Sequence, residues 1–257
     1  MEKNKRTIQK LTLGSMFAAI GILLKLGSFI IPLFGIPMLR IDLIPVPVVL
    51  AGLILGPIYG LFVGIITDVA GHFILPQGVF HLGFTLNMAL VGFLSGAMML
   101  ILKKKNWPIK WMNVIVLAGL SLGGIVYVLF TQDISIWQGE DLTQYIFTPL
   151  FKALSISTII LLFILMMIPI FLIRIKDSKK NTVLMRILWI TTVIEIGVFI
   201  LLTPIWIRSF TAVPYLFNVI PRIFRAVFLI PIKTYLVYSV FLVSDKMGLI
   251  PSGLQKG

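Results

Sequence analysis

Several polar side chains stand inside otherwise apolar runs of this chain: Lys25, Asp68, His72, Asn87, Glu195, Arg222, Arg225 and Lys233. An ionisable group at the centre of a bilayer costs on the order of 3 kcal/mol on insertion scales, so such residues face an interior, a cavity or each other. In "FNVIPRIFRAVFLIPIK", residues 217–233, Arg222 and Lys233 lie eleven positions apart. That is almost three helical turns, so both fall on one line of a helix, with Arg225 within about 60° of it. Three cations on one face suit a carboxylate-bearing solute, and the positive helix N-terminus adds to the two arginines. Glu195 has the charge to neutralise one of the three. Snorkelling to headgroups accounts for Arg225 alone, but less well for the deeper Lys233. Asp68 and His72 are four apart and share a helix face, which reads as a hydrogen-bonded pair. They have no second close ligand pair and no HExxH around them, so no metal site is expected.

Two aromatic groups flank the basic face: Phe73, Phe80 and Phe84 in one stretch, and Trp206, Phe210, Tyr215 and Phe217 in another. Interfacial belts are the ordinary explanation of such clusters. Beside three cations they also suit a flat, conjugated anion.

The elements that hold these residues are membrane spans. The chain has 257 residues, of which 59% are hydrophobic and 12% charged, and a mean hydropathy of +1.07. Apolar runs of spanning length recur from end to end, which makes this an all-α, polytopic helical membrane protein. The alternating ten-residue segments of a β-barrel are missing. With no cysteine, disulfide, iron–sulfur and thiol chemistry are excluded. Eight spans can be drawn, at 11–34, 41–56, 57–75, 80–102, 111–130, 150–173, 187–207 and 217–244. The net charge of +13 then resolves into loops rather than a nucleic-acid face. Lys3, Lys5, Arg6 and Lys10 precede the first span, Lys103, Lys104, Lys105 and Lys110 follow the fourth, and Arg174, Lys176, Lys179, Lys180 and Arg186 follow the sixth. Lys246 and Lys256 close the chain. All fall on one side of an eight-span arrangement, the pattern of a cell-membrane protein with both termini cytoplasmic. The N-terminal apolar run is too long for a signal peptide and is read as the first span. Between 41 and 75, Gly56-Pro57 is a natural break into two short antiparallel helices. Gly52, Gly56, Gly60 and Gly64 recur every four residues and offer a bare stripe for close packing.

Three stretches together, "GIPMLRIDLIPVPVVLAGLILGPIYGLFVGIITDVAGHF", "GFTLNMALVGFLSG" and "VIPRIFRAVFLIPIK", resemble the folate-family substrate-binding (S) components of energy-coupling-factor (ECF) vitamin transporters. The resemblance covers about residues 7–105 and 186–245. It implies a six-helix bundle with a pocket near the outer surface, one tightly bound vitamin, and docking on a transmembrane coupling protein with two cytoplasmic ATPases. No P-loop pattern GxxxxGK[ST] is present, in keeping with a chain that hydrolyses nothing itself. Small residues at four-residue spacing on the first helix, here Gly14/Ala18 and Ser15/Ala19, are the implied docking surface, though Ile22 and Leu23 depart from the pattern in the next turn. Within a single membrane domain 1–257, residues 1–105 and 186–257 form the family-like core, and 106–185 reads as an inserted helix pair.

On this resemblance the expected pocket comprises Arg40, Phe84, Thr85, Asn87, Trp206, Arg208, Arg222 and Arg225, supported by Asp68, His72 and Lys233. Arg222 and Arg225 would meet the glutamate carboxylates of folate, Phe84 and Trp206 would sandwich its rings, and Asn87 with Thr85 would hydrogen-bond its heterocycle. Folate is then a transported ligand, and no cofactor is expected. Another vitamin or a modified-base precursor keeps the architecture and changes the cargo. An intramembrane enzyme using Asp68, His72, His81 and Glu195 lacks any recognised spacing of nucleophile or metal ligands. A self-sufficient carrier usually shows internal repeats, which this chain lacks.

Overall fold

The computed structural model describes residues 2–33, 36–76, 79–104, 107–130, 134–138, 141–145, scattered positions between 152 and 164, 178–211 and 215–249. Helices dominate: α1 (Glu2–Leu24), α2 (Pro45–Leu55), α3 (Pro57–Ile74), α4 (Leu82–Lys104), α5 (Ile109–Phe130), α6 (Ser178–Ile194), α7 (Thr203–Phe210) and α8 (Tyr215–Lys246). A π-helical stretch, Glu195–Leu202, joins α6 to α7. Among the described residues, four helices are long and apolar enough to cross a membrane, at Thr7–Gly27, Pro57–Ile74, Leu82–Lys104 and Asn181–Phe210. Pro45–Leu55 and Ile109–Gly123 are shorter apolar helices. Large apolar side chains such as Phe73, Leu82 and Ile115 point outward, as lipid-facing residues do. The expected span at 150–173 lies mostly outside the described residues.

Among the described residues two short hairpins interrupt the helices, the first of them where the sequence predicts a first span running on to residue 34. Instead α1 ends in a 3-10 turn at Lys25–Gly27, and β1 (Phe29–Leu33) pairs antiparallel with β2 (Ile36–Ile41). Pro32 and Pro37 cannot extend a helical ladder, and aromatic and β-branched neighbours favour extended backbone. The register shifts between Ile31 and Pro32, the irregular kind of position where a strand tolerates proline. The acidic segment after α5 likewise pairs β3 (Ile134–Gln138) with β4 (Asp141–Tyr145).

The α2–α3 break falls at Gly56, whose φ of 103° is a conformation that side chains with a Cβ rarely adopt. Pro57 then opens α3 from its first turn. The other glycines of the stripe serve a different end. A Cβ on Gly60 would collide with the Gly92 carbonyl, and one on Gly64 with the Met88 carbonyl. α3 and α4 thus touch backbone to backbone, and α2 joins them through Gly52 against Gly92 and Ser95. Around this seam α1 packs on α2 and α3, while α6 and α8 close the other side. α5 lies on the flank, where Asn113 Nδ2 donates to the Met185 carbonyl of α6 at 3.1 Å.

Candidate functional site

α1, α3 and α7 finish, and α2, α4 and α8 begin, at one end of the bundle. There they enclose a cavity of about 240 Å³. Its walls carry Lys25, Asp42, Asp68, Asn87, Arg222 and Arg225 among aromatic residues that include Phe80, His81, Phe84 and Phe199.

The three cations of α8 part company here. Arg225 Nη2 donates to Glu195 Oε1 at 2.5 Å, and Lys233 Nζ donates to Glu195 Oε2 at 3.1 Å. Glu195 is 2% exposed, so one carboxylate serves two buried cations, not one as its charge alone would suggest. Arg225 also lies 4.0 Å from Asp42. Phe199 packs against both cations, its ring centroid 4.9 Å from the Arg225 guanidinium and 4.8 Å from Lys233 Nζ, a favourable placement of cations near a π-system. Arg222 differs. Among the described residues no carboxylate stands within ion-pair distance of it, and its Nη1 has only the Phe199 carbonyl at 3.4 Å. Its Nε is buried without an acceptor, and so is the Thr67 hydroxyl without a partner; both residues line the cavity.

The polar residues of α3 and α4 are already tied together. Thr85 Oγ1 donates to Asp68 Oδ2 at 2.6 Å, which replaces the expected Asp68–His72 bond. His72 instead packs against Phe80, with centroids 5.1 Å apart. Asn87 Nδ2 donates to Thr203 Oγ1 at 2.9 Å, and Asn87 Oδ1 accepts from Trp206 Nε1 at 3.0 Å. The Gly83 amide donates to His81 Nδ1 at 3.0 Å. That leaves His81 Nε2 as the protonated nitrogen of a neutral ring, facing Ser209 Oγ at 3.0 Å.

Of the residues expected from the sequence, Asp68, His72, Phe84, Asn87, Arg222 and Arg225 meet at the cavity. Thr85 stands behind Asp68. Trp206 stands behind Asn87 and is pressed so closely on Gly83 that a methyl group there would strike the indole. Lys233 reaches Glu195 below the cavity. Arg208 is exposed on α7, and Arg40 lies on β2 opposite Ile30. Asp42, Phe199 and Thr203 join the residues expected from the sequence, and so does Lys25, a charge within a span. Its Nζ donates to the Gly71 carbonyl at 2.7 Å and ties the end of α1 to α3. An acid just ahead of the "PVP" opening α2 was the one local hint of Asp42.

The implied docking residues divide by face. Gly14 and Ala18 turn into the bundle, where a Cβ on Gly14 would lie 3.5 Å from Val63. Ser15 and Ala19 stay exposed, so the small-residue surface open to a partner is the second pair.

A mixed-charge cavity at one end of an apolar helix bundle suits binding, and a family model described as "ECF transporter, substrate-specific component" matches residues 9–244. The chain belongs to that family. As an ECF substrate-specific component it is a multi-pass membrane transport subunit, not an enzyme, and it recognises substrate within a larger transporter. Comparison with curated proteins and with solved structures found no match.

Proposed function

We propose that this component binds folate or a related pterin–glutamate with high affinity and delivers it to a coupling protein driven by two cytoplasmic ATPases. The observation that carries the reading is Arg222, a cation at a cavity wall with no ion-pair partner among the described residues. A ligand carboxylate at Arg222 would supply the charge-assisted, bidentate partner that this guanidinium lacks. Arg225 is held by Glu195 and acts as a second, shared donor. Phe84, His81 and Phe199 supply faces for stacking, and the free lone pairs of Asp68 suit the paired N–H groups of a pterin ring. Both termini are taken as cytoplasmic, with the cavity opening outward. Residues 106–185 are taken as a helix pair added on the flank of the six-helix core.

The test is a titration of the purified protein, followed by tryptophan fluorescence, with folate and a panel of other vitamins. Saturable quenching by folate, weakened in Arg222→Gln with no change in thermal stability, is expected. Unchanged folate affinity in that variant would refute the assignment. A different vitamin or a modified-base precursor is the second reading. It is favoured by Trp206, which is hydrogen-bonded behind Asn87 and so does not face Phe84 across the cavity as the expected folate sandwich requires. A response to another compound, with none to folate, selects it.

A further inference from the structure

The end of the bundle opposite the cavity holds a further buried cation that the binding site does not use. Arg186, two turns into α6, is 6% exposed. Its Nε is sealed from solvent without an acceptor, and among the described residues no carboxylate reaches it. Lys103 at the end of α4 lies close enough to repel it, while Asp245 at the end of α8 attracts Lys103. Lys104, Lys110 and Lys246 stand exposed at the same end. On the neighbouring α5, Asn113 is fully buried and spends its Nδ2 on the Met185 carbonyl, beside Arg186 in the chain.

A guanidinium held this way is costly unless an anion completes it. Its depth is that of the interface, since the apolar stretches of α4 and α6 end around it. Among the described residues the charged groups around it are mostly cations, with Asp245 the acidic group that a headgroup's charge would join, and none of them pairs with Arg186. The geometry points to a binding site for the headgroup phosphate of an anionic phospholipid, with Arg186 as the buried ligand and Lys103 beside it. Lipid phosphate reaches this depth naturally, and surplus headgroup charge favours an anionic lipid over a zwitterionic one. The site is independent of which substrate occupies the cavity.

The full-length protein in neutral detergent is titrated with phosphatidylglycerol or phosphatidylcholine, with retained lipid read by native mass spectrometry and unfolding temperature read in parallel. Phosphatidylglycerol should be retained more strongly, by roughly fivefold for each cation engaged. Arg186→Gln should remove most of that preference, and Arg186→Lys should keep part of it. Equal retention of the two lipids by the unaltered protein would overturn the site, even if the variants failed to fold. So would an unaltered preference in a folded Arg186→Gln protein. Stabilisation by inorganic phosphate alone, at the lipid's concentration, would overturn the lipid assignment.

Discussion

Phe199 and Glu195 explain why a membrane helix keeps three cations. Glu195 takes two of them and Phe199 packs against both, which leaves Arg222 facing the cavity without an ion-pair partner among the described residues. Removing one member of a buried ion network leaves an uncompensated charge, typically at a cost of about 3–5 kcal/mol, whereas replacing a whole pair with apolar groups is often nearly neutral. Glu195→Gln should therefore lower the unfolding temperature in detergent markedly, and Glu195→Met with Lys233→Met should recover part of the loss. A double variant as unstable as the single one would show that the pair is not coupled in this way. Arg222→Gln should behave in the opposite sense, keeping its stability while ligand affinity falls by roughly tenfold or more, the scale of one charged hydrogen bond. Titration calorimetry and a melting curve on the same sample separate the two effects.

At the scale of elements, the glycine stripe does two jobs that spacing alone could not tell apart. Gly60 and Gly92 let α3 and α4 approach backbone to backbone, whereas a Cβ on Gly56 would meet nothing within 4 Å and that glycine is there for its backbone angle. Gly60→Leu should abolish a monodisperse fold on size-exclusion chromatography. Gly56→Ala should fold with a loss of about 1–3 kcal/mol, the cost of holding a residue with a Cβ at φ 103° and ψ 171°, a region essentially confined to glycine. Comparable damage from the two substitutions would count against this division. On α1 the same logic separates Ala18, buried, from Ala19, exposed. Ala19→Trp should weaken capture by the coupling protein in a pull-down and spare substrate binding, whereas Ala18→Trp should impair folding. The first hairpin is not legible in the sequence because Phe29–Leu33 is apolar enough to continue a span. Pairing with Ile36–Ile41 satisfies its backbone there, and that partner is a tertiary fact.

For the whole molecule, the functional claim concerns a binding subunit. Purified protein in vesicles should bind its ligand without accumulating it, and uptake should appear only when the coupling protein and ATPases are added with ATP. Uptake by the chain alone would return the carrier reading. The sequence by itself determined the membrane class, the helical architecture, the two antiparallel helices broken at Gly56-Pro57, and the family. Those follow from hydropathy, chain breaks and local motifs, which act over a few residues. It also singled out Arg222, Arg225, Lys233 and Glu195 as the charges to be explained. Only the tertiary structure decided which cation meets which carboxylate, that Asp42 and Phe199 join them, and that Trp206 stands behind Asn87. Those pairings join residues far apart in the chain, and the low-polarity interior forces each buried charge to find a partner wherever the fold places one.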